Sequence, residues 1–222
     1  MRRAVRRAGV VLTVSETSAR DIRAWLRDDS VNVVNTGNGC SAAFRVDGPA
    51  APSTDPYVVF VGNMRPHKNL GVVLRALAQL PQLHLRAVLP PGEVAAATVR
   101  AEALGVGKRV EWMRGIDDDT LAEIYRGAAA AVMPSIDEGF GLPALEAISC
   151  GVPVVFWQGC EAVAEIVGER GWALSSWRDA GEWAFAMQEA VAAPRRVEPP
   201  LGLYDWDRTA GTVTEVLRRA MS

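Results

Sequence analysis

The chain has 222 residues, 49% of them apolar, enough to bury a large core in one or two domains. Its net charge of −2 argues against nucleic acid as the main partner, and no run approaches the roughly 18 apolar residues that a membrane span needs. The three cysteines, Cys40, Cys150 and Cys160, are odd in number and follow no ligand spacing, so buried thiols in a reduced, cytoplasmic setting are expected. The first stretch, Met1-Arg2-Arg3-Ala4-Val5-Arg6-Arg7 followed by apolar residues to Val14, imitates a signal peptide. No A-x-A site follows, however, and Ser15-Glu16-Thr17 ends the run abruptly. The segment reads instead as a basic helix end, a strand over 10–14, a Ser/Thr-capped helix over 17–26 and a second strand over 31–34. A βαβ unit standing alone would leave an open sheet edge, so residues 1–36 read as the last piece of an amino-terminal domain.

From Asn35 the pattern turns irregular, with Thr36-Gly37-Asn38-Gly39 and then Asp47-Gly48-Pro49-Ala50-Ala51-Pro52-Ser53-Thr54-Asp55-Pro56. This content marks 37–56 as a connection between domains. Gly37 and Gly39 make half of a dinucleotide fingerprint, but no third glycine follows at the right offset and no helical pattern begins there, so they read as a turn.

Beyond residue 56 the alternation is regular. Strand-like runs at 58–61, 83–89, 110–113, 128–133 and 152–156 alternate with helical patterns at 70–80, 93–104, 118–126, 144–149 and 162–167. A short strand near 172–174 and a helix over 179–192 follow, and Pro194 to Pro200 separates that helix from a last one over 207–221. The expected class is α/β, a doubly wound parallel sheet over 57–205, with its ligand at the carboxyl ends of the strands. The final helix, 206–222, is expected to pack away from this domain, on the amino-terminal part.

Two end-of-strand loops carry chemical content. In Pro134-Ser135-Ile136-Asp137-Glu138-Gly139-Phe140-Gly141-Leu142-Pro143, two glycines permit a tight turn, and Pro143 is pre-set for the first turn of a helix whose bare N–H groups attract an anion. Glu138 precedes the turn and Glu146 stands about one turn into the helix, leaning back toward the loop. A carboxylate repels a phosphate, so these two suit sugar or ribose hydroxyls. They read equally as a helix-start acid and a solvated helix glutamate. In the second loop, Gly62-Asn63-Met64-Arg65-Pro66-His67-Lys68-Asn69, Arg65 grips a phosphate bidentately and Lys68, one of only two lysines, adds a point charge. The alternative there is a solvated basic loop, with His67 a surface or packing histidine.

Together these loops resemble those of the retaining, nucleotide-sugar-dependent glycosyltransferases of the GT-B fold, in the large group 1 family, especially its mannosyltransferase-like members. The resemblance takes in Val14-Ser15 with Ser18 and Ile22, residues 35–44, 61–70 and 134–147, Gly151-Val152-Pro153-Val154, residues 161–167 and Trp206. It implies a Rossmann-like, carboxyl-terminal half of a GT-B fold that binds the donor. By resemblance Arg65 and Lys68 hold the donor diphosphate beside Gly62. Glu138, with Gly139 and the backbone of Phe140, Gly141 and Leu142, meets sugar and phosphate, and Glu146 takes the ribose hydroxyls. Arg65, Lys68 and Glu138 would be the catalytic set.

The implied reaction moves a sugar from a nucleoside diphosphate to an acceptor hydroxyl with retention, needing no cofactor or metal. GDP-mannose or a UDP-sugar would be the donor, and a glycan, lipid or small molecule the acceptor. The implied location is cytoplasmic, with peripheral attachment at the inner face of the membrane left open. Two departures stand out: Gly39-Cys40-Ser41 where family members carry an aspartate after Asn-Gly, and Leu89-Pro90-Pro91-Gly92 where they carry a glycine-rich turn. The acceptor domain of the family is almost wholly absent from these residues. A homodimer or a separate acceptor-domain chain is therefore expected, and the isolated chain is expected to be inactive alone. A non-catalytic nucleotide-sugar binding module and the donor subunit of a two-chain enzyme are the alternatives. An ordinary nucleotide-binding Rossmann domain is disfavoured, because a complete G-x-G-x-x-G is lacking.

Overall fold

The apolar runs become strands and the amphipathic stretches helices, in a computed structural model that describes residues 2–200 and 202–221. Met1, Leu201 and Ser222, which fall within the ranges 1–36, 57–205 and 206–222 above, lie outside the described residues. In chain order the helices and strands are α1 (Arg2–Ala8), β1 (Val10–Thr13), α2 (Glu16–Leu26), β2 (Asn32–Asn35), β3 (Tyr57–Val61), α3 (Leu70–Leu77), β4 (His84–Val88), α4 (Val94–Ala103) and β5 (Val110–Met113). They continue as α5 (Asp118–Gly127), β6 (Ala130–Met133), α6 (Leu142–Ser149), β7 (Val154–Trp157), α7 (Glu161–Val167), β8 (Gly171–Leu174), α8 (Ala180–Ala192) and α9 (Trp206–Met221).

The chain divides into two compact units, Met1–Cys40 with Pro200–Ser222, and Ser41–Pro199. In the smaller unit β1 and β2 pair in parallel, Val10 opposite Asn32 through Thr13 opposite Asn35, with α2 as the crossover. Ser15 caps α2 by accepting from the Ser18 N–H at 3.0 Å, and Ala19 and Leu26 pack on Val31 and Val33. Arg6 ties α1 down by donating to the Leu26 carbonyl (3.1 Å) and pairing with Asp28 (2.8 Å).

The larger unit holds a six-stranded, all-parallel sheet in the order β5-β4-β3-β6-β7-β8. Strands β3, β6 and β7 are buried almost end to end, as expected of a parallel sheet covered on both faces, whereas β4, also an inner strand, alternates. Val58, Phe60, Ala130, Val132 and Val155 face a core shared with α3 and α8, where Val72, Leu74, Trp183 and Met187 are fully buried. Each such side chain contributes about 1.5–3 kcal/mol of apolar burial. Strand order reverses between β3 and β6, whose registers meet at Val58 opposite Ala130. In a doubly wound sheet the crevice beyond the carboxyl ends of two such strands is where ligands bind.

Several boundaries move for identifiable reasons. The strand expected over 152–156 begins only at Val154: Pro153 has no N–H, and the Val152 N–H is spent on the Ala147 carbonyl at 2.9 Å. The strand expected from 128 starts at Ala130, because Ala128 closes α5 by donating to Tyr125 O (2.9 Å). The helix expected over 93–104 opens with a 3-10 turn, Pro91–Glu93, and Asp179 caps α8 rather than joining it, accepting from Gly181 and Glu182. Much of the Gly/Pro-rich stretch is fastened onto α5. The Ala51 N–H donates to Glu123 O (2.8 Å), and the Arg126 guanidinium donates to Pro49 O (2.6 Å) and Arg45 O (3.2 Å). Among the described residues no helix is long and apolar enough to cross a membrane.

Candidate functional site

The two loops singled out above follow β3 and β6, the strands that flank the reversal. The first leaves β3 at Gly62, whose backbone lies so close to the Phe60 ring that an added Cβ would stand 2.8 Å from Cζ. Its course is fixed by local bonds and by bonds to distant parts of the chain. Asn63 Oδ1 accepts the Arg65 N–H (3.0 Å), Glu93 Oε2 accepts the Met64 N–H (2.5 Å), and residues Pro66–Lys68 form one 3-10 turn. Asn69 then adopts the left-handed conformation, at φ 50°, which asparagine tolerates, and its amide donates to Trp177 O at 2.7 Å. The loop so held leaves Arg65 exposed and turns Lys68 inward, its side chain 14% exposed.

The second loop leaves β6 through Pro134 and the fully buried Ser135. At its far end Gly141 stands at φ +106°, where a side chain is strained, and an added Cβ there would crowd Val163 Cγ2 at 3.0 Å. Helix α6 starts at the next residue, with Pro143 in its first turn.

The structure joins the loops in two ways. The Ile136 N–H donates to His67 O at 2.7 Å, and Lys68 Nζ forms a close ion pair with Glu138 Oε1. Ser135 Oγ donates to the same carboxylate oxygen at 2.7 Å. Lys68 and Glu138, 70 positions apart, are thus partners rather than two independent groups. Spacing alone did not show this, nor the contribution of Ser135. His67 enters through its backbone carbonyl. Arg65 makes no ion pair among the described residues. Gly139 is exposed, the Phe140 ring is buried and Leu142 is 40% exposed at the helix start.

Glu146 is half-buried in the second turn of α6 and accepts from the Tyr125 hydroxyl at 3.2 Å. Burial pushes its carboxyl from the ordinary 4.5 up to about 7; the Tyr125 bond opposes the rise and the Asp118 charge adds to it. A solvated helix glutamate is therefore the wrong description of it. Burial likewise pushes the Cys160 thiol up to about 12, with Glu138 and Asp137 adding to the rise and Lys68 opposing it. Cys160, which caps α7, is thus a neutral neighbour of the pair rather than a nucleophile. Among the described residues no three His, Cys, Asp or Glu side chains group as a metal site.

The arrangement offers two cationic side chains, a helix start and two carboxylates at the reversal of a parallel sheet. It can hold an anion on one side and hydroxyl groups on the other. The family described as "Glycosyl transferases group 1" matches residues 45–195, which contain both loops and the whole six-stranded sheet. The chain belongs to that family. Among curated proteins, it is 32% identical to the D-inositol 3-phosphate glycosyltransferase of Rhodococcus opacus, over 95% of this chain and 53% of the relative. It is 31% identical to the O-antigen chain mannosyltransferase B of Escherichia coli, over 74% of this chain and 47% of the relative. The chain thus spans about half the length of the curated relatives it matches.

Solved structures agree with this chain in architecture. Sucrose-phosphate synthase from Thermosynechococcus elongatus superposes with a TM-score of 0.82 at 24% identity, over 96% of this chain and 58% of that one. Anabaena HepE in complex with UDP and glucose gives 0.74 at 20% identity, over 98% and 66%. At these identities the likeness is one of fold, here the parallel sheet with flanking helices.

Proposed function

We propose that the unit Ser41–Pro199 binds a nucleoside diphosphate sugar and serves as the donor half of a retaining glycosyltransferase. The observation that carries the reading is the Lys68–Glu138 pair at the strand reversal, where a cation for phosphate and an acceptor for sugar hydroxyls share one bond. The matched relatives, a D-inositol 3-phosphate glycosyltransferase and a mannosyltransferase by name, support sugar transfer to a hydroxyl. In this reading Arg65 and Lys68 hold the diphosphate, and Gly62 lets the backbone pass close beside it. Glu138 and Gly139 meet the sugar, the N–H groups from Phe140 to Leu142 face the phosphate, and Glu146 accepts from the ribose.

As the bond from the anomeric carbon to the diphosphate breaks, charge grows on the departing phosphate, a bond to the acceptor oxygen forms on the same face, and the acceptor hydroxyl gives its proton to that phosphate. Arg65, Lys68 and the start of α6 stabilise that growing charge more than the ground state, which is what accelerates the step. Donor capture needs only groups present in this unit. Transfer also needs an oriented acceptor, and the relatives' greater length supports a further polypeptide region as its source.

The test is calorimetric. Each charge-assisted phosphate contact is worth about 1.5–3 kcal/mol, so replacing Arg65 and Lys68 together by alanine should weaken nucleoside diphosphate binding by two orders of magnitude or more. Unchanged affinity would sink the assignment.

A further inference from the structure

Helix α5 sends one side chain toward the acidic loop. Tyr125 is fully buried, its ring set edge-on to Phe44 with centroids 6.1 Å apart and planes at 69°. Its hydroxyl stands 3.2 Å from two acceptors at once, Pro143 O in the first turn of α6 and Glu146 Oε2 in the next. The backbone beside it is clamped independently of either loop. Arg126 donates to Pro49 O and Arg45 O, and Arg196 donates to Arg126 O at 2.5 Å. The tyrosine is therefore a fixed post, and the first two turns of α6 are what it steadies.

We propose that Tyr125 is a positioning residue for Glu146, sharing its one phenolic proton between the Pro143 carbonyl and the carboxylate so that Glu146 stays aimed at ligand hydroxyls whether charged or neutral. The proposal rests on the reading of Glu146 as the ribose acceptor. A phenol has one proton to give and two lone pairs to offer. With Glu146 ionised, the phenolic proton turns to Oε2, and the carboxylate keeps its remaining lone pairs for two donating hydroxyls. With Glu146 protonated, the carboxyl proton is donated to the phenolic oxygen, and the phenolic proton turns to Pro143 O. No proton leaves the pair in that rotation, and the tether survives it. Asp118, on the same helix as Tyr125, is the charged group that adds to burial in holding the proton on Glu146, while the phenol favours its loss.

Tyr125→Phe keeps the ring and its Phe44 contact and removes only the hydroxyl. Two measurements read it: carboxyl carbon NMR of Glu146 across pH, and calorimetry with a nucleoside diphosphate beside inorganic diphosphate. The Glu146 midpoint should move upward, since the charged form loses a donor. Nucleoside diphosphate binding should fall about 3- to 10-fold, with inorganic diphosphate unaffected. The two readings fail separately. A Glu146→Gln chain that binds nucleoside diphosphate as the unaltered chain does overturns the ribose contact. Loss in Glu146→Gln with neither midpoint nor affinity changed in Tyr125→Phe overturns the positioning role. Equal weakening of both ligands in Tyr125→Phe overturns it too, because a packing defect would do that.

Discussion

Glu138 and Glu146 stand on either side of the turn that opens α6, and the protein places them in opposite surroundings. Glu138 receives an ammonium from Lys68 and a hydroxyl from Ser135 on one oxygen. Glu146 receives a phenol and is buried enough to push its carboxyl up to about 7. The first is a compensated anion, so the Lys68 charge reaches a diphosphate only as the pair loosens or is shared. The second is held toward its protonated form by burial and can charge as donors arrive. Eight residues of spacing say little about a carboxylate's role; what packs around each one decides it.

Removing the cation should break this contrast most. Lys68→Met would leave the Glu138 carboxylate, 13% exposed, with a hydroxyl but no counter-charge. A loss of about 2–4 kcal/mol is expected in urea unfolding, because an uncompensated, largely buried charge is costly. Adding Glu138→Gln should recover part of that loss, giving a coupling of about 1–3 kcal/mol in the double-mutant cycle. Strict additivity would mean that the pair contributes nothing and that the two glutamates differ less than their surroundings suggest.

The next effect is smaller and depends on pH. The folded chain holds the Glu146 proton up to about 7, whereas an unfolded chain releases it near 4.5. Between those values the folded state binds more protons, so this group's contribution is fully present below 4.5 and is lost as pH rises through 7. Glu146→Gln abolishes that dependence. Allowing for partial solvent access, the stability of the unaltered chain relative to the variant should fall by about 1–2 kcal/mol between pH 4.5 and 8. Thermal melts of both chains across that range read it, and parallel curves would remove the distinction between the two glutamates.

The parts of the site legible beforehand were those with local causes. Gly141 and Pro143 mark a turn into a helix wherever they occur in this order, and the basic residues after β3 mark an anion loop. The helix–strand alternation was legible for the same reason, since it follows from hydrophobic period. Strand order was not, and strand order is what sets the two loops side by side at the reversal between β3 and β6. Lys68 meets Glu138 across 70 positions, and Tyr125 meets Glu146 from a different helix, so both depend on packing that no window of sequence contains. Misplaced strand starts at 128 and 152 have a simpler origin. An apolar run continues through Ala128 and Val152, but their N–H groups are already committed to Tyr125 O and Ala147 O.

The finest test of the contrast concerns Ser135, whose hydroxyl shares the Glu138 oxygen that Lys68 binds. The residue is fully buried, so it acts on the ligand only through the carboxylate. Ser135→Ala removes a donor and leaves the ion pair in place, and the small cavity costs little. A stability loss of about 1 kcal/mol is expected, below that of Lys68→Met. Its signature in binding should be selective. A less firmly held Glu138 loses orientation toward sugar hydroxyls but not toward phosphate, so the gain in affinity from nucleoside diphosphate to nucleoside diphosphate sugar should shrink about 2- to 5-fold. Nucleoside diphosphate alone should bind as before, and Glu146 should titrate unchanged. If nucleoside diphosphate weakens as much as the sugar-bearing ligand, Ser135 supports the loop as a whole, and Glu138 owes its orientation to Lys68 alone.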